Sequence, residues 1–428
     1  MTAAGRPGGT QAIAAPSVVW SIPAMATAGT SPLRDPHFRR LYAAQVFSLV
    51  AFGVATVGLA LLAYDLVGGN AGVVLGAAFG LKMAAKLVVA PIAGAYGTRV
   101  PRKVLLAGVE VVRVGLLFTL PFVDAVWQLY ALILVMSACE AVFNPAYEAI
   151  LPDLFTDTAR YTKALSLSRI AINGETLASP LLAAAALLYL DFDGLFVIAA
   201  VASVAATVFI LAATIPAVAG PAEQERRFVA QISFGVRRYF REPELRSVLI
   251  VYLAIALASA MLIVNTVVYV RETLGLADEA VARVLLFQGL GAIAAIVFIP
   301  RLVARFGDKP VMLAGGLALG PLLALGAVMP GFWGLAGLWA AIGAALGIAM
   351  TPAGLVITRT IASGERPALF AAQYALTHGC WLIAYPFVGW IVAAAGFPTG
   401  FLVSGVLALG FALYAAAVWP QVQPAAAD

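Results

Sequence analysis

Glu140, Asn144 and Glu148 stand at i, i+4 and i+8 in an otherwise apolar stretch, so a helix there carries all three on one face. Lys82 and Lys86 share that spacing in an earlier apolar run. Glu110 with Arg113, Arg169 with Glu175, and His378 interrupt three others. Ionisable groups in such places are costly and mark functional sites by default. A carboxylate beside ammonium groups exchanges a proton as water reaches or leaves it, because burial favours the neutral acid and a nearby cation the anion. The same lysines and arginines can hold a charged solute. Glu140 is the leading candidate for a proton or cation site. Lys82, Lys86, Asn144, Glu148, Arg169 and Glu175 complete the cluster. Plainer readings stand beside these. Glu110 and Arg113 are expected to form a structural ion pair. Glu148 sits close to a span end and can cap the loop, and the lysines can snorkel. His378 reads as a packed histidine with one hydrogen bond or as a metal ligand, and Cys380 as core.

Composition says what surrounds these groups. The chain has 428 residues, 63% hydrophobic and 11% charged, against about 25% charged in soluble domains. So much apolar surface points to lipid as the solvent. The net charge of +5 is spread between apolar runs and forms no patch, which argues against nucleic acid. Cys139 and Cys380 lie inside apolar runs, with no disulfide framework or paired-cysteine metal motif. No phosphate-binding loop motif is present, so ATP is not the expected energy source. No enzyme activity, cofactor or resident metal is expected. The Ala-, Gly- and Arg-rich composition suggests a GC-rich bacterial genome. Val18 to Ala26 ends like a cleavage site, but Pro16, Pro23 and a single upstream Arg6 favour a disordered cytoplasmic tail over 1–33.

A spanning helix needs about 20 mainly apolar residues. Spans are expected at 41–64, 71–96, 104–123, 126–151, 163–190, 194–216, 247–270, 281–300, 310–329, 332–352, 368–392 and 397–418. Alternate connections hold Arg34, Arg39, Arg40, Arg99, Arg102, Lys103, Arg160, Arg226, Arg227, Arg237, Arg238, Arg241, Arg246, Arg301, Arg305, Lys309 and Arg366. The others hold Asp65, Asp124, Asp191, Asp193, Glu272, Asp278 and Glu279, with only Arg271 and Arg283. The positive-inside rule then puts both termini in the cytoplasm. In the long connection 217–246, Phe228, Ile232, Val236 and Tyr239 recur at helical spacing, which predicts an amphipathic helix on the membrane surface.

The sequence also repeats. Arg34-Asp35-Pro36 recurs as Arg241-Glu242-Pro243, an offset of 207 (241 − 34), and Pro145-Ala146 recurs as Pro352-Ala353 at the same offset. Arg99 to Lys103 recurs as Arg305 to Lys309, Arg160 as Arg366 and Pro180 as Pro386, at 206 (305 − 99). Such recurrence at matching places implies two six-helix bundles, 34–216 and 247–418, before a tail of 419–428.

With these repeats the chain resembles the major facilitator superfamily from Arg34 onward. The family's helix 2–3 loop reads Gly-x-Leu-Ala-Asp-Arg-x-Gly-Arg-Arg/Lys. Here Gly94, Arg99, Arg102 and Lys103 match it, while Thr98 replaces the acid and Pro101 the second glycine. The resemblance implies a conformational latch at Gly94, Arg99, Arg102 and Lys103, with Arg305 and Lys309 in the second half. With the acid lost, the bases are left to helix C-termini and lipid phosphates. Glu175 to Ala184 is similar to the exporter pattern of helix 5, keeping Pro180 and small residues but no glycine. Asn144-Pro145-Ala146-Tyr147 to Leu151-Pro152 resembles bacterial macrolide and siderophore exporters, and Tyr374 to Trp381 resembles nickel-resistance members. The family lines its cavity with helices 1, 4, 7 and 10, which adds Gln45, Ser48, Thr56 and Asn265.

Measured from the basic ends at about 1.5 Å per residue, the buried charges share a layer roughly 10–21 Å deep, with Glu148 shallower. All belong to the first half, and the second offers mainly Arg359 and His378. The expectation is an all-α, twelve-helix transporter in a bacterial inner membrane. It exports a small molecule or ion against protons and acts as a monomer. Two alternatives remain: a nickel or cobalt exporter with His378 and Glu140 as ligands, and a non-transporting sensor or assembly factor.

Overall fold

Asp35 and Glu242 open the two halves in the same way. Each has extended backbone and is followed by a proline, Pro36 or Pro243, at the first helical position, where an N–H would be unpaired anyway. The Asp35 carboxylate accepts from the backbone N–H of His37 (2.8 Å) and Phe38 (3.1 Å), satisfying two donors at the helix start. The first half then runs through α1 (Pro36–Val67), α2 (Ala71–Tyr96), α3 (Arg102–Thr119), α4 (Val126–Glu148), α5 (Thr158–Ala186) and α6 (Phe192–Ala212). The second runs through α7 (Pro243–Val268), α8 (Asp278–Phe306), α9 (Asp308–Leu325) and α10 (Phe332–Met350). Its last two helices form one run, Arg366–Val418, broken at Gly396 (φ 78°, ψ 169°). That left-handed backbone suits glycine, and it separates α11 (366–395) from α12 (397–418).

This computed structural model describes residues 31–96, 100–155, 157–215, 234–360 and 366–420. Outside them lie the tail 1–30, the stretch 216–233 with Arg226, Arg227, Phe228 and Ile232, the latch residue Arg99, and the end 421–428. The side chains of Arg169, Pro180 and Arg366 are also outside them. Among the described residues nine stretches are long and apolar enough to cross a membrane, and two of these, Pro36–Val89 and Ala368–Val418, hold two helices each. The charge-bearing α5 completes the twelve. It starts at Thr158, earlier than its apolar run, because Asp157 accepts from the Arg160 N–H (3.1 Å) and caps a polar first turn.

Packing repeats as the sequence does. In the first half α1 lies on α5 and α6, α2 on α4, and α3 on α4 and α6. In the second α7 lies on the α11–α12 run, α8 on α10, and α9 on α10 and α12. Val201, Val208, Phe298, Val406 and Leu413 face outward, as lipid-facing positions do. A short helix at 234–241 precedes α7. Tyr239 is fully buried there and hydrogen-bonds Gln373 of α11, and Gly235 lies against the Ala368 carbonyl. This helix docks on α11, leaving Arg237, Phe240 and Arg241 exposed.

Candidate functional site

A cavity of about 310 Å³ lies between the halves. Its middle level holds the charges: Lys82 and Lys86 on α2, Arg113 on α3, Glu140 with Asn144 on α4, and Glu175 on α5. Toward the acidic loops its wall is apolar, with Val57 and Ala60 on α1, Ile263 on α7, and Val281 with Leu285 on α8. Phe52, Phe79 and Phe143 supply aromatic faces, and Gln288 is a polar contribution from the second half. The expected α10 is not in this wall, whereas α2, α5 and α8 are. The α2–α11 and α5–α8 contacts carry those helices across the boundary between the halves.

Two ion pairs organise the charges. Lys86 Nζ lies 2.8 Å from Glu140 Oε1, and Glu140 Oε2 is buried without a hydrogen-bond partner. Arg113 Nη1 lies 2.8 Å from Glu110 Oε1, both fully buried. Ser48 Oγ donates to Glu110 (2.6 Å) and accepts from Arg113 (2.7 Å). This pair stitches α3 to α1, as a structural ion pair does, yet Arg113 also reaches the cavity wall. Lys82 is placed differently. Its Nζ sits 4.1 Å from the centroid of Phe52 and 5.9 Å from that of Phe79. Glu175 and Ser179 approach α1 closely because position 53 is glycine: a Cβ there would meet Ser179 Oγ at 1.9 Å and Glu175 Oε1 at 2.4 Å.

The halves meet at the ends that bear the acidic loops. Tyr64 Oη donates to Glu272 Oε1 (2.7 Å), and the Arg271 guanidinium lies over the Tyr64 ring. Asn265 Oδ1 would be 2.7 Å from a Cβ on Gly72, and the Gly72 carbonyl 2.3 Å from one on Gly389. At the basic ends, ties close within each half. Arg102 binds Asp153 and the Ala149 carbonyl (3.0 Å). Arg359 binds Asp308 (2.6 Å) and Glu244 (3.0 Å). Lys309 donates to the carbonyls of Trp419 (3.3 Å) and Pro420 (3.0 Å) at the end of α12, a favourable place for a cation.

Of the residues singled out by sequence, Lys82, Lys86, Glu140, Asn144 and Glu175 are brought together in the cavity, with Ser48 and Thr56. Others are placed elsewhere. Gln45 Nε2 donates to Ser168 Oγ (2.7 Å) between α1 and α5. Asn265 packs at the α2–α7 contact. Glu148 lies outside the cavity lining, and Gly94 is in the last turns of α2. His378 Nδ1 is 2.7 Å from the Tyr374 carbonyl, and its ring packs on Tyr374 and Trp381. Among the described residues no group of three or more His, Cys, Asp or Glu is placed to hold a metal ion. Sequence reasoning missed Phe52, Phe79, Gly53, Ser179 and Gln288. Aromatic and small residues carry no signal in a span that is apolar on every side. It also missed Asp153, which lies 206 (359 − 153) before Arg359, as Arg102 lies 206 (308 − 102) before Asp308. The two basic-end bridges therefore occupy repeat-related positions with their charges exchanged.

Two bundles of repeated packing around a charged central cavity define a polytopic membrane carrier. A family model described as Major Facilitator Superfamily matches residues 41–298 and 248–428, and the chain belongs to that family. Solved structures share its fold. The nucleoside transporter NupG has a TM-score of 0.72 at 14% identity, over 90% of this chain and 99% of its own. A bacterial homolog of the human lysosomal transporter Spinster, inward-facing and occupied, has 0.69 at 15%, over 91% and 97%. A POT family transporter in complex with a thioalcohol-conjugated peptide has 0.66 at 14%, over 89% and 95%. Identities this low speak for the fold alone. A search of curated protein sequences gave no match. The protein is a multi-pass secondary-transporter-type membrane protein and not an enzyme.

Proposed function

We propose that this protein exports a small molecule from a bacterial cell in exchange for protons, as a monomer in the inner membrane with both termini cytoplasmic. The observation that carries the reading is the Lys86–Glu140 pair in the cavity wall, 2.8 Å across, with Glu140 Oε2 buried and unpartnered. Opening that pair removes the cation that stabilises the Glu140 charge, and the second oxygen is then the place for a proton. Alternating access supplies the opening. With the acidic ends in contact and the Arg102 and Lys309 ties closed within their own halves, the arrangement corresponds to a cytoplasm-facing state. Rocking of the halves would exchange it for the opposite one. The charge bias of the loops supports the orientation.

The test is flux in proteoliposomes with an imposed pH gradient and a panel of small-molecule candidates. The expected outcome is gradient-stimulated flux in the native protein. In Glu140→Gln the stimulation falls by at least about 100-fold, typical of losing an acid–base group, while exchange without a gradient persists. Stimulation that survives Glu140→Gln removes this residue from coupling. Absence of flux for every candidate favours the sensor reading.

A further inference from the structure

We infer that the solute class of this cavity is an amphipathic organic monoanion, one carboxylate on a compact apolar body, seated with its anionic group on Lys82 and its body against Phe52, Phe79 and the apolar wall. This rests on reading the cavity as the transport site. The cations in the wall are not equivalent. Lys86 is neutralised by Glu140 at 2.8 Å, and Arg113 by Glu110 at 2.8 Å, with the Ser48 hydroxyl accepting from the same guanidinium nitrogen. Lys82 remains. Among the described residues no carboxylate comes within ion-pair distance of its Nζ, and its neighbours are the faces of Phe52 at 4.1 Å and Phe79 at 5.9 Å.

A cation–π contact contributes about 0.5–2 kcal/mol. Withdrawing an ammonium from water costs several kcal/mol. The rings therefore steer Lys82 without neutralising it, and its remaining donors face the cavity. Glu175 lines the same cavity and matches this charge without pairing with it, so one anionic group can take that carboxylate's place at Lys82. A dianion would have to separate Lys86 from Glu140. A cation would face Lys82 directly, with Glu140 already paired to Lys86 and Glu175 held against α1.

The rest of the wall selects the body of the solute. Val57, Ala60, Ile263, Val281 and Leu285 line the end beneath the closed acidic loops, and they reward apolar area at roughly 25 cal/mol per Å². The volume of about 310 Å³ is at the small end of the range for small-molecule sites, about 300–1,000 Å³. Glu175, held against α1 by Gly53 and outside ion-pair distance of Lys82, is the carboxylate that the anionic group of the solute replaces as the balance to Lys82.

The experiment is equilibrium binding to the full-length purified protein, without a proton gradient, using three probes of one shape: phenylbutyrate, phenylbutyramide and phenylbutylamine. A hydrogen-bonded charge contact is worth about tenfold to a hundredfold in affinity. Phenylbutyrate is expected to bind saturably and at least about tenfold more tightly than the amide, with the amine weakest. In Lys82→Met the preference for the anion over the amide falls to near unity, and in Lys82→Arg it is retained. A cooperative thermal unfolding transition of Lys82→Met close to the native one shows that the protein is still folded. Saturable binding that prefers the amine overturns the inference, as does an anion preference that survives Lys82→Met, or no saturable binding of phenylbutyrate. Because no gradient is applied, loss of proton-driven flux with the anion preference intact would sink the coupling scheme and leave this assignment standing.

Discussion

At the scale of single residues, the separation between structural and solute-handling charges comes from geometry. Glu110 and Arg113 are one turn apart on α3, fully buried, and share one oxygen with the Ser48 hydroxyl. A buried pair contributes little net stability over an apolar replacement, yet removing one partner strands the other charge at about 3–5 kcal/mol. Glu110→Leu is therefore expected to lower the melting temperature strongly. Adding Arg113→Met should recover most of the loss, and a double-mutant cycle read by thermal unfolding in detergent measures the coupling. Equal melting losses in the single and double variants would mean that Arg113 is held by something other than Glu110. The pair's spacing was legible in the sequence, because i and i+3 on a helix are neighbours wherever the helix faces. The roles of Gln45 and Asn265 were not. Both are polar groups in apolar runs, but one turns to Ser168 and the other to Gly72, and only packing decides that.

At the scale of helices, the count and the duplication were readable for a simple reason. Lipid demands long apolar runs, and a duplicated chain repeats its caps and breakers, as Asp35-Pro36 and Glu242-Pro243 do. Rotation about each axis was not readable. A helix apolar on all sides has no stripe to reveal its inner face, so Phe52 and Phe79 were invisible as cavity residues. What positions these helices is the small residues at their crossings. On the acidic side α2 and α11 approach until the Gly72 carbonyl would be 2.3 Å from a Cβ on Gly389. No side chain at 389 fits without separating them. Gly389→Leu is expected to wedge this contact apart and shift the protein toward the state open on the acidic side. In a background free of Cys139 and Cys380, a cysteine at Ala60 should then react at least about tenfold faster with a membrane-impermeant thiol reagent applied from that side. An unchanged labelling rate would show that the α2–α11 contact is not the gate.

For the whole molecule, the duplicated halves are alike in packing and unlike in charge. The cavity charges all come from the first half, and the second contributes Ile263, Val281, Leu285 and Gln288. At the basic ends the likeness returns in exchanged form. Arg102 on α3 binds Asp153, and Asp308 on α9 binds Arg359. Each bridge ties the start of its half's third helix to the segment after the fourth, so either polarity serves the same brace. Arg102 and Asp153 are partly exposed, at 19% and 38%, where an ion pair contributes about 0.2–1 kcal/mol. Arg102→Asp, which sets two acids together, is thus expected to slow transport by up to about fivefold. The combination Arg102→Asp with Asp153→Arg copies the polarity of the second half and should return the rate to within about twofold of native, read as initial flux in proteoliposomes at equal protein density. A double exchange as slow as the single one would mean that Arg102 acts through something other than Asp153: the Ala149 carbonyl of its own half, lipid phosphate or the opposite bundle. In the last case the brace would be a latch between halves and not a tie within one.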